Sequence, residues 1–289
     1  MSPSQATAPW LVFGASGQVG RQVLERCETA RQSLLALSRH PHQGPESAML
    51  GWRCARLPDA VPALPPAAAI LSLGPLDLFA EWLAQWQPQR GAPRIVALSS
   101  MSVVSKAASP HAGERALAAR MRQAEQLLAD RCDELGLPWT ILRPTMLWGG
   151  ASDRTVSRLA RLALRWRVLP MPRGRGLRQP VHVADVAAAV IAAVGCERAC
   201  GQRIACGGGE RLAAVELFRR VHASLPQRTL ILPVSAVLLR LMGTMGRFSR
   251  SAAAIGRLEQ DLTADNAQLE TLLGVHPRSF SPRAPDWTA

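Results

Sequence analysis

The sequence predicts an α/β protein built on a doubly wound parallel sheet. Three observations carry that expectation. Apolar runs and helical patterns alternate along the first half of the chain. The first run meets a glycine-rich turn that opens into a helix. Strands buried on both faces by helices read as such apolar runs.

The elements follow in order. Trp10 to Phe13 is an apolar run, and after the turn Val19, Val23 and Leu24 recur at helical spacing. A second run, Ser33 to Leu37, ends at Ser38-Arg39-His40. A third surrounds Trp52, a fourth spans 67–74 and a fifth spans 94–100. A long helical pattern then runs from about Pro110 to Leu135, with Ser109 as its expected N-cap and Pro110 at its first position. Leu137 to Leu142 is a sixth strand. PVHVADVAAAVIAAV supplies a strand and a helix, with Asp185 the expected helix cap. CGQRIACGGGERLAAVELFRRV supplies strand, glycine turn and helix, and the tail reads as proline-punctuated coil.

Composition narrows the function classes. The chain has 289 residues, 48% hydrophobic and 19% charged, which excludes wholesale disorder. That length suits one large domain or two small ones. It carries 33 Arg, a single Lys (Lys106) and no Tyr, for a net charge of +13. The absent Tyr excludes any tyrosine-dependent mechanism. The Arg-for-Lys bias fits a GC-rich bacterial genome. No run is long enough to read as a transmembrane helix, and the N-terminus has no basic and then apolar leader pattern. The expectation is a cytoplasmic protein. Cys196, Cys200 and Cys206 cluster without paired spacing or a nearby His, so no metal site is expected.

Gly14, Gly17 and Gly20 form GxxGxxG at the strand-to-helix junction. Glycine there lets the backbone approach a pyrophosphate, and the helix N-terminus offers free N–H groups and a positive dipole end. The plain alternative is a bare tight turn. In such a unit an acid about 20 residues on holds the ribose of NAD, whereas an Arg accommodates the 2′-phosphate of NADP. Here the second strand ends without an acid. Ser38 and Arg39 therefore favour NADP, with NAD as the alternative, unless Arg39 is only a solvated charge.

Taken together, these pieces resemble an extended short-chain dehydrogenase/reductase of the NAD-dependent epimerase/dehydratase type. GASGQVG at 14–20, LSSMSV at 98–103 and LRPTMLWG at 142–149 carry the resemblance. RQPVHVADVAAAV at 178–190, GQRIACGGGERLAAVELF at 201–218 and LGVHPRSFSP at 273–282 continue it. The resemblance implies a Rossmann domain over 1–148, completed by about 179–206. A smaller substrate lobe from 149–178 and 207–289 is implied as well. It implies cofactor contacts from Gly14, Ser16, Gly17, Gln18, Val19 and Gly20, and from Ser38 and Arg39. Ser72, Leu73, Gly74, Ser99, Pro144 and Thr145 complete the implied set. Substrates in the family include nucleotide-diphosphate sugars, and Arg178 matches a position that often contacts a diphosphate. Family members often dimerise through the long helices flanking the sheet, so a homodimer is also open.

The family's catalytic set fails to appear. Its members carry a Ser or Thr, a Tyr, and a Lys four residues after the Tyr. Moving a hydride at a C–OH carbon requires moving the hydroxyl proton, and a phenol beside an ammonium does this. Anchored on RQAEQLL, the Tyr position falls at Leu117 and the Lys position at Met121; the Ser position falls at Met101, beside Ser102. The protein then either binds its cofactor without turnover, as a sensor, scaffold or assembly factor, or another group moves the proton. His111 and Glu114 are the nearest titratable candidates, with Ser102 as a hydroxyl donor.

Residues 150–178 hold eight Arg and one Asp. Arg154, Arg158, Arg161 and Arg165 fall within about 60° on a helix, opposite Leu159, Leu162, Ala163 and Trp166. Ser152 or Asp153 can cap this helix, and Arg173 and Arg175 follow it. The basic face suits a small anionic substrate, with Arg154 and Arg178 as contacts, or an anionic membrane surface. It is equally readable as a solvated face. Nucleic acid is disfavoured, because aromatics are 4% of the chain and no binding motif appears. The apolar stretch Leu230 to Met245 reads as core, lid, interface or membrane contact.

Overall fold

A computed structural model describes residues 8–40, 47–88, 91–150, 156–172, 176–234 and 260–287. Strand β1 (Trp10–Phe13) leads through the glycine turn into α1 (Gln18–Thr29). There follow β2 (Leu34–Ser38), β3 (Leu50–Cys54), β4 (Ala69–Ser72), α2 (Leu76–Gln85) and β5 (Arg94–Leu98). A short α3 (Ser102–Ser105), the long α4 (Ala112–Glu134) and β6 (Trp139–Pro144) come next. Beyond them lie β7 (Leu147–Trp148), α5 (Val156–Trp166), β8 (Val168–Pro172), β9 (Leu177–Arg178) and β10 (Val181–His182). The chain closes with α6 (Val183–Gly195), β11 (Gln202–Cys206), β12 (Leu212–Ala213), α7 (Ala214–Ala223), β13 (Leu230–Val234) and α8 (Ala267–Leu273).

Seven strands form one sheet in the order β11-β6-β5-β4-β1-β2-β3. Every pairing in it is parallel. The order reverses between β1 and β4, the topological switch point where ligands bind in open α/β sheets. The predicted fold class is therefore the observed one.

The pleat sorts the strand residues between two cores. Val12, Leu71 and Val96 face α1 and α6, packing with Val19, Val23, Val186 and Val190. Leu11, Phe13, Ile70 and Ile95 face α2 and α4, packing with Phe79, Leu83, Leu128 and Cys132. Both faces are buried, so the strands show no alternation in the sequence. A third apolar cluster gathers Trp148, Ala160, Leu217, Phe218, Phe280 and Trp287.

Three local expectations need correction. The N-cap of α4 is His111, not Ser109. Ser109 accepts from the His111 amide and donates to the Glu114 carboxylate at 2.7 Å, so its capping capacity is used one turn early. The N-cap of α6 is His182, whose Nδ1 accepts the Ala184 amide at 3.1 Å. Asp185 lies inside the first turn and pairs with Arg278, 93 residues on. Trp166, grouped with Leu159, Leu162 and Ala163 on the apolar side of α5, is 59% exposed and does not share the burial of Ala163. The inward face is Val156, Ser157, Ala160 and Ala163.

The tail carries few elements, yet it is anchored. Asp185 grips both the Arg278 side chain and its backbone N–H. Phe280 and Trp287 are buried at 0% and 2% exposure. Among the described residues, no helix is long and apolar enough to cross a membrane.

Candidate functional site

In a parallel sheet all strands end on the same edge. The segments singled out in the sequence leave β1, β2, β4, β5 and β6 there: the glycine turn, Ser38-Arg39, Ser72-Leu73-Gly74, Ser99 and Pro144-Thr145. The switch point sets the first and third side by side. A Cβ on Gly14 would lie 2.8 Å from the Gly74 nitrogen, and Gly14 has φ +76°. Both facts require glycine, because the turns after β1 and β4 touch through backbone alone. A Cβ on Gly20 would meet the Gly14 and Ala15 carbonyl oxygens at 2.4 and 2.5 Å. Gly20 thus lets α1 close onto its own turn.

Helix α1 begins at Gly17 with no side-chain cap and no acid in its first turn. Its leading amides therefore stay open for an acceptor from outside the helix, and the dipole favours an anion. Ser16 and Ser38 share a hydrogen bond of 3.0 Å, which ties the glycine turn to the end of β2. Ser38 Oγ also donates to the His40 carbonyl at 3.1 Å. Arg39 extends from this corner, exposed, and pairs with no carboxylate among the described residues. A dinucleotide fits these residues: glycines for close approach, open amides for the pyrophosphate, a hydroxyl and a guanidinium beside the ribose end.

Next to the turn lies a cavity of about 210 Å³. Gly74 and Pro75 line it from the β4 loop, Leu98 and Ser99 from the end of β5, and Leu117 and Met121 from α4. Leu117 and Met121 are four apart, one above the other on the same helix face. Asp77 and Arg120, 3.5 Å apart, form an ion pair on its rim. No hydroxyl, imidazole or amine projects into it from α4.

Glu125 is a residue the sequence reading missed. It lies one turn beyond Met121 and is 1% exposed. Arg143 donates to both of its oxygens, from Nε at 2.9 Å and from Nη2. Arg203 stands 3.7 Å away. Ser99 donates its hydroxyl hydrogen to Glu125 Oε1. Toward the cavity Ser99 can therefore only accept. The signal was present, since Glu125 sits inside the RQAEQLL segment and Arg143 inside LRPT. Their pairing needs β6 beside α4, which spacing alone does not state.

The remaining candidates are placed elsewhere. His111 is exposed at the start of α4, and Glu114 binds Ser109; neither lines the cavity. Ser102 opens α3, its amide donating to Ser100 Oγ. Ser72 is fully buried at the end of β4. Thr145 donates to the Gln179 carbonyl, and its amide binds the Cys206 carbonyl at 3.0 Å. Arg178 is 3% exposed, and its Nη1 donates to the carbonyls of Leu177 and Gln260. Burial pulls its pKa down, against a smaller upward pull from Asp261. Arg154, Arg173 and Arg175 lie outside the described residues, as do residues 235–245 of the apolar stretch that begins at Leu230. Among the described residues no three His, Cys, Asp or Glu side chains gather as a metal site.

Residues 73–207 match the model of the NAD dependent epimerase/dehydratase family. Solved structures repeat the whole architecture. MoeE5 in complex with UDP-glucose and NAD aligns over 94% of each chain at 19% identity, with a TM-score of 0.68. A nucleoside-diphosphate-sugar epimerase from Staphylococcus aureus aligns over 94% of this chain and 97% of its own, at 16% identity and TM-score 0.66. TunA, an NAD dependent-NDP-hexosamine 5,6-dehydratase, aligns over 97% of this chain and 96% of its own, at 16% identity and TM-score 0.68. At these identities the likeness shows the Rossmann-type fold. No curated protein matches the sequence.

Proposed function

We propose that this protein is a member of the NAD-dependent epimerase/dehydratase family that binds NADP(H) in preference to NAD(H). We further propose that it acts on or senses a small anionic compound of the nucleotide-sugar kind, without the family's proton relay. The observation that carries the reading is the uncapped N-terminus of α1, meeting the Gly74 turn at the switch point and the Ser38-Arg39 corner beside it. The open amides of α1 hold the pyrophosphate, and Arg39 pairs with the 2′-phosphate while Ser38 fixes the turn. Ser99 accepts a hydrogen bond from a ribose hydroxyl or a carboxamide. When bound, the nicotinamide supplies a site for hydride exchange.

The lining from α4 favours silent binding over turnover. Leu117 and Met121 occupy the face that must deliver a proton, and neither a hydrocarbon nor a thioether carries an exchangeable one. A sensor or assembly role follows from that. The titratable group on the cavity rim, Asp77, is the partner of Arg120.

Titration with NADPH and NADH, followed by nicotinamide fluorescence, tests the cofactor reading. NADPH is expected to bind at least tenfold more tightly, and Arg39→Ala is expected to erase the difference. Failure of both dinucleotides to bind overturns the reading. Incubation of the NADP⁺ complex with UDP-glucose or UDP-glucuronic acid is expected to leave nicotinamide absorbance unchanged. A substrate-dependent rise would overturn the silent reading and leave the cofactor reading intact.

A further inference from the structure

Helix α5 and the β8–β13 pair carry exposed side chains that are both cationic and apolar. Arg158, Arg161 and Arg165 are exposed along one side of α5, and Arg167 follows at its end. Trp166, between them, is 59% exposed. The Leu230 amide donates to the Arg167 carbonyl at 2.9 Å, so the apolar strand starts where the basic helix stops. Leu230 pairs with Val168 in register, and Leu230 and Leu232 are 73% and 56% exposed. Residues 156–172 and 224–234 together hold five Arg and no acidic side chain.

We propose that this face docks on an anionic lipid surface. Guanidinium groups suit the phosphate layer, an indole suits the headgroup boundary, and exposed leucines suit the acyl layer just below it. The three occur here on two chain segments joined by backbone hydrogen bonds. A second copy of the chain is the poorer occupant, because a two-fold contact would set the arginine rows against each other. Nucleic acid is poorer too, since the exposed leucines offer neither stacking nor hydrogen bonds. The proposal is independent of cofactor binding.

The test is co-sedimentation of the full chain with vesicles, either pure phosphatidylcholine or an equal mixture with phosphatidylglycerol. Binding to the mixed vesicles is expected at low salt, with little on the neutral ones, and high salt is expected to release it. Each basic residue at such a surface contributes about fivefold, so Arg158→Gln with Arg165→Gln is expected to weaken partitioning roughly 25-fold. Trp166→Ala with Leu230→Ser is expected to reduce it at constant charge. All four positions are exposed, so unchanged thermal unfolding is the control for folding. Equal binding to neutral vesicles overturns the proposal, as does binding to neither kind. So does mixed-vesicle binding untouched by the paired Arg substitution, or self-association through this face without vesicle binding.

Discussion

Ser99 gives its hydroxyl hydrogen to Glu125, across the join between the end of β5 and the middle of α4. The carboxylate is 1% exposed and would be intolerable there without Arg143 and Arg203. The arrangement links the cavity wall to the packing of α4 on the sheet. Removing the acid leaves two guanidinium groups facing a gap. Glu125→Ala is expected to cost about 3–5 kcal/mol, and Ser99→Ala about 1 kcal/mol. Denaturant unfolding of the two single variants and the double variant checks this. The double variant is expected to cost less than the sum, because Ser99 has no partner once Glu125 is gone.

The glycine turn gives a second prediction. At Gly20 a methyl group meets the fixed carbonyl oxygens of Gly14 and Ala15, not a flexible side chain. Gly20→Ala must push α1 away from its turn, at about 1–3 kcal/mol. Because the α1 amides move with it, dinucleotide affinity is expected to fall together with stability. Gly113→Ala is the control, since nothing lies within 4 Å of a Cβ there. Thermal unfolding and NADPH titration of both variants separate a local from a general effect.

The sequence was most legible where one physical demand fixes a residue type. Gly14 and Gly20 could be read because backbone contact excludes every other side chain. The sheet strands could be read because burial on both faces requires continuous apolar runs. Leu117 and Met121 were singled out only through the family resemblance anchored on RQAEQLL, and both line one cavity. Glu125, Arg143 and Asp185 were not legible as partners, because each pairs across the fold. Asp185 looked like a local cap, yet its oxygens serve Arg278 in the tail. Trp166 was misplaced because periodicity gives a helix face but not what covers it. The structure exposes Trp166 while Ala163, on the same side, is buried.

The cysteines divide by burial, which gives a chemical prediction. All six are free thiols. Burial pushes Cys206 up to about 12 and Cys27 up to about 11. Burial, with Asp133 adding to it, pushes Cys132 up to about 12. Only the thiolate reacts with an alkylating reagent, so these three are expected to resist iodoacetamide at about pH 8. Cys54, exposed at the end of β3, is expected to be modified first. Mass spectrometry of tryptic peptides over time checks the order. Early modification of Cys206 would mean that β11, at the edge of the sheet, opens readily.

His182 makes stability depend on pH in a direction that can be worked out. Its pKa lies below the ordinary 6.5, chiefly through burial and then through the Arg278 charge. Its Nδ1 caps α6 by accepting an amide hydrogen, a role only the neutral ring can fill. Above about pH 6.5 both folded and unfolded chains carry the neutral ring, and His182 adds no pH dependence. Below that value the unfolded chain takes up a proton that the folded chain refuses. Stability then falls with pH, by up to about 1.4 kcal/mol per unit, until the folded pKa is reached. His182→Asn keeps an acceptor suited to an N-cap and removes the titrating group. It loses the ring packing on Trp148, so its baseline stability is expected to be lower. The deciding quantity is the slope: between pH 7.5 and 5 wild type is expected to lose more stability than the variant in urea unfolding. Equal losses would mean that other groups set the acid sensitivity of the fold.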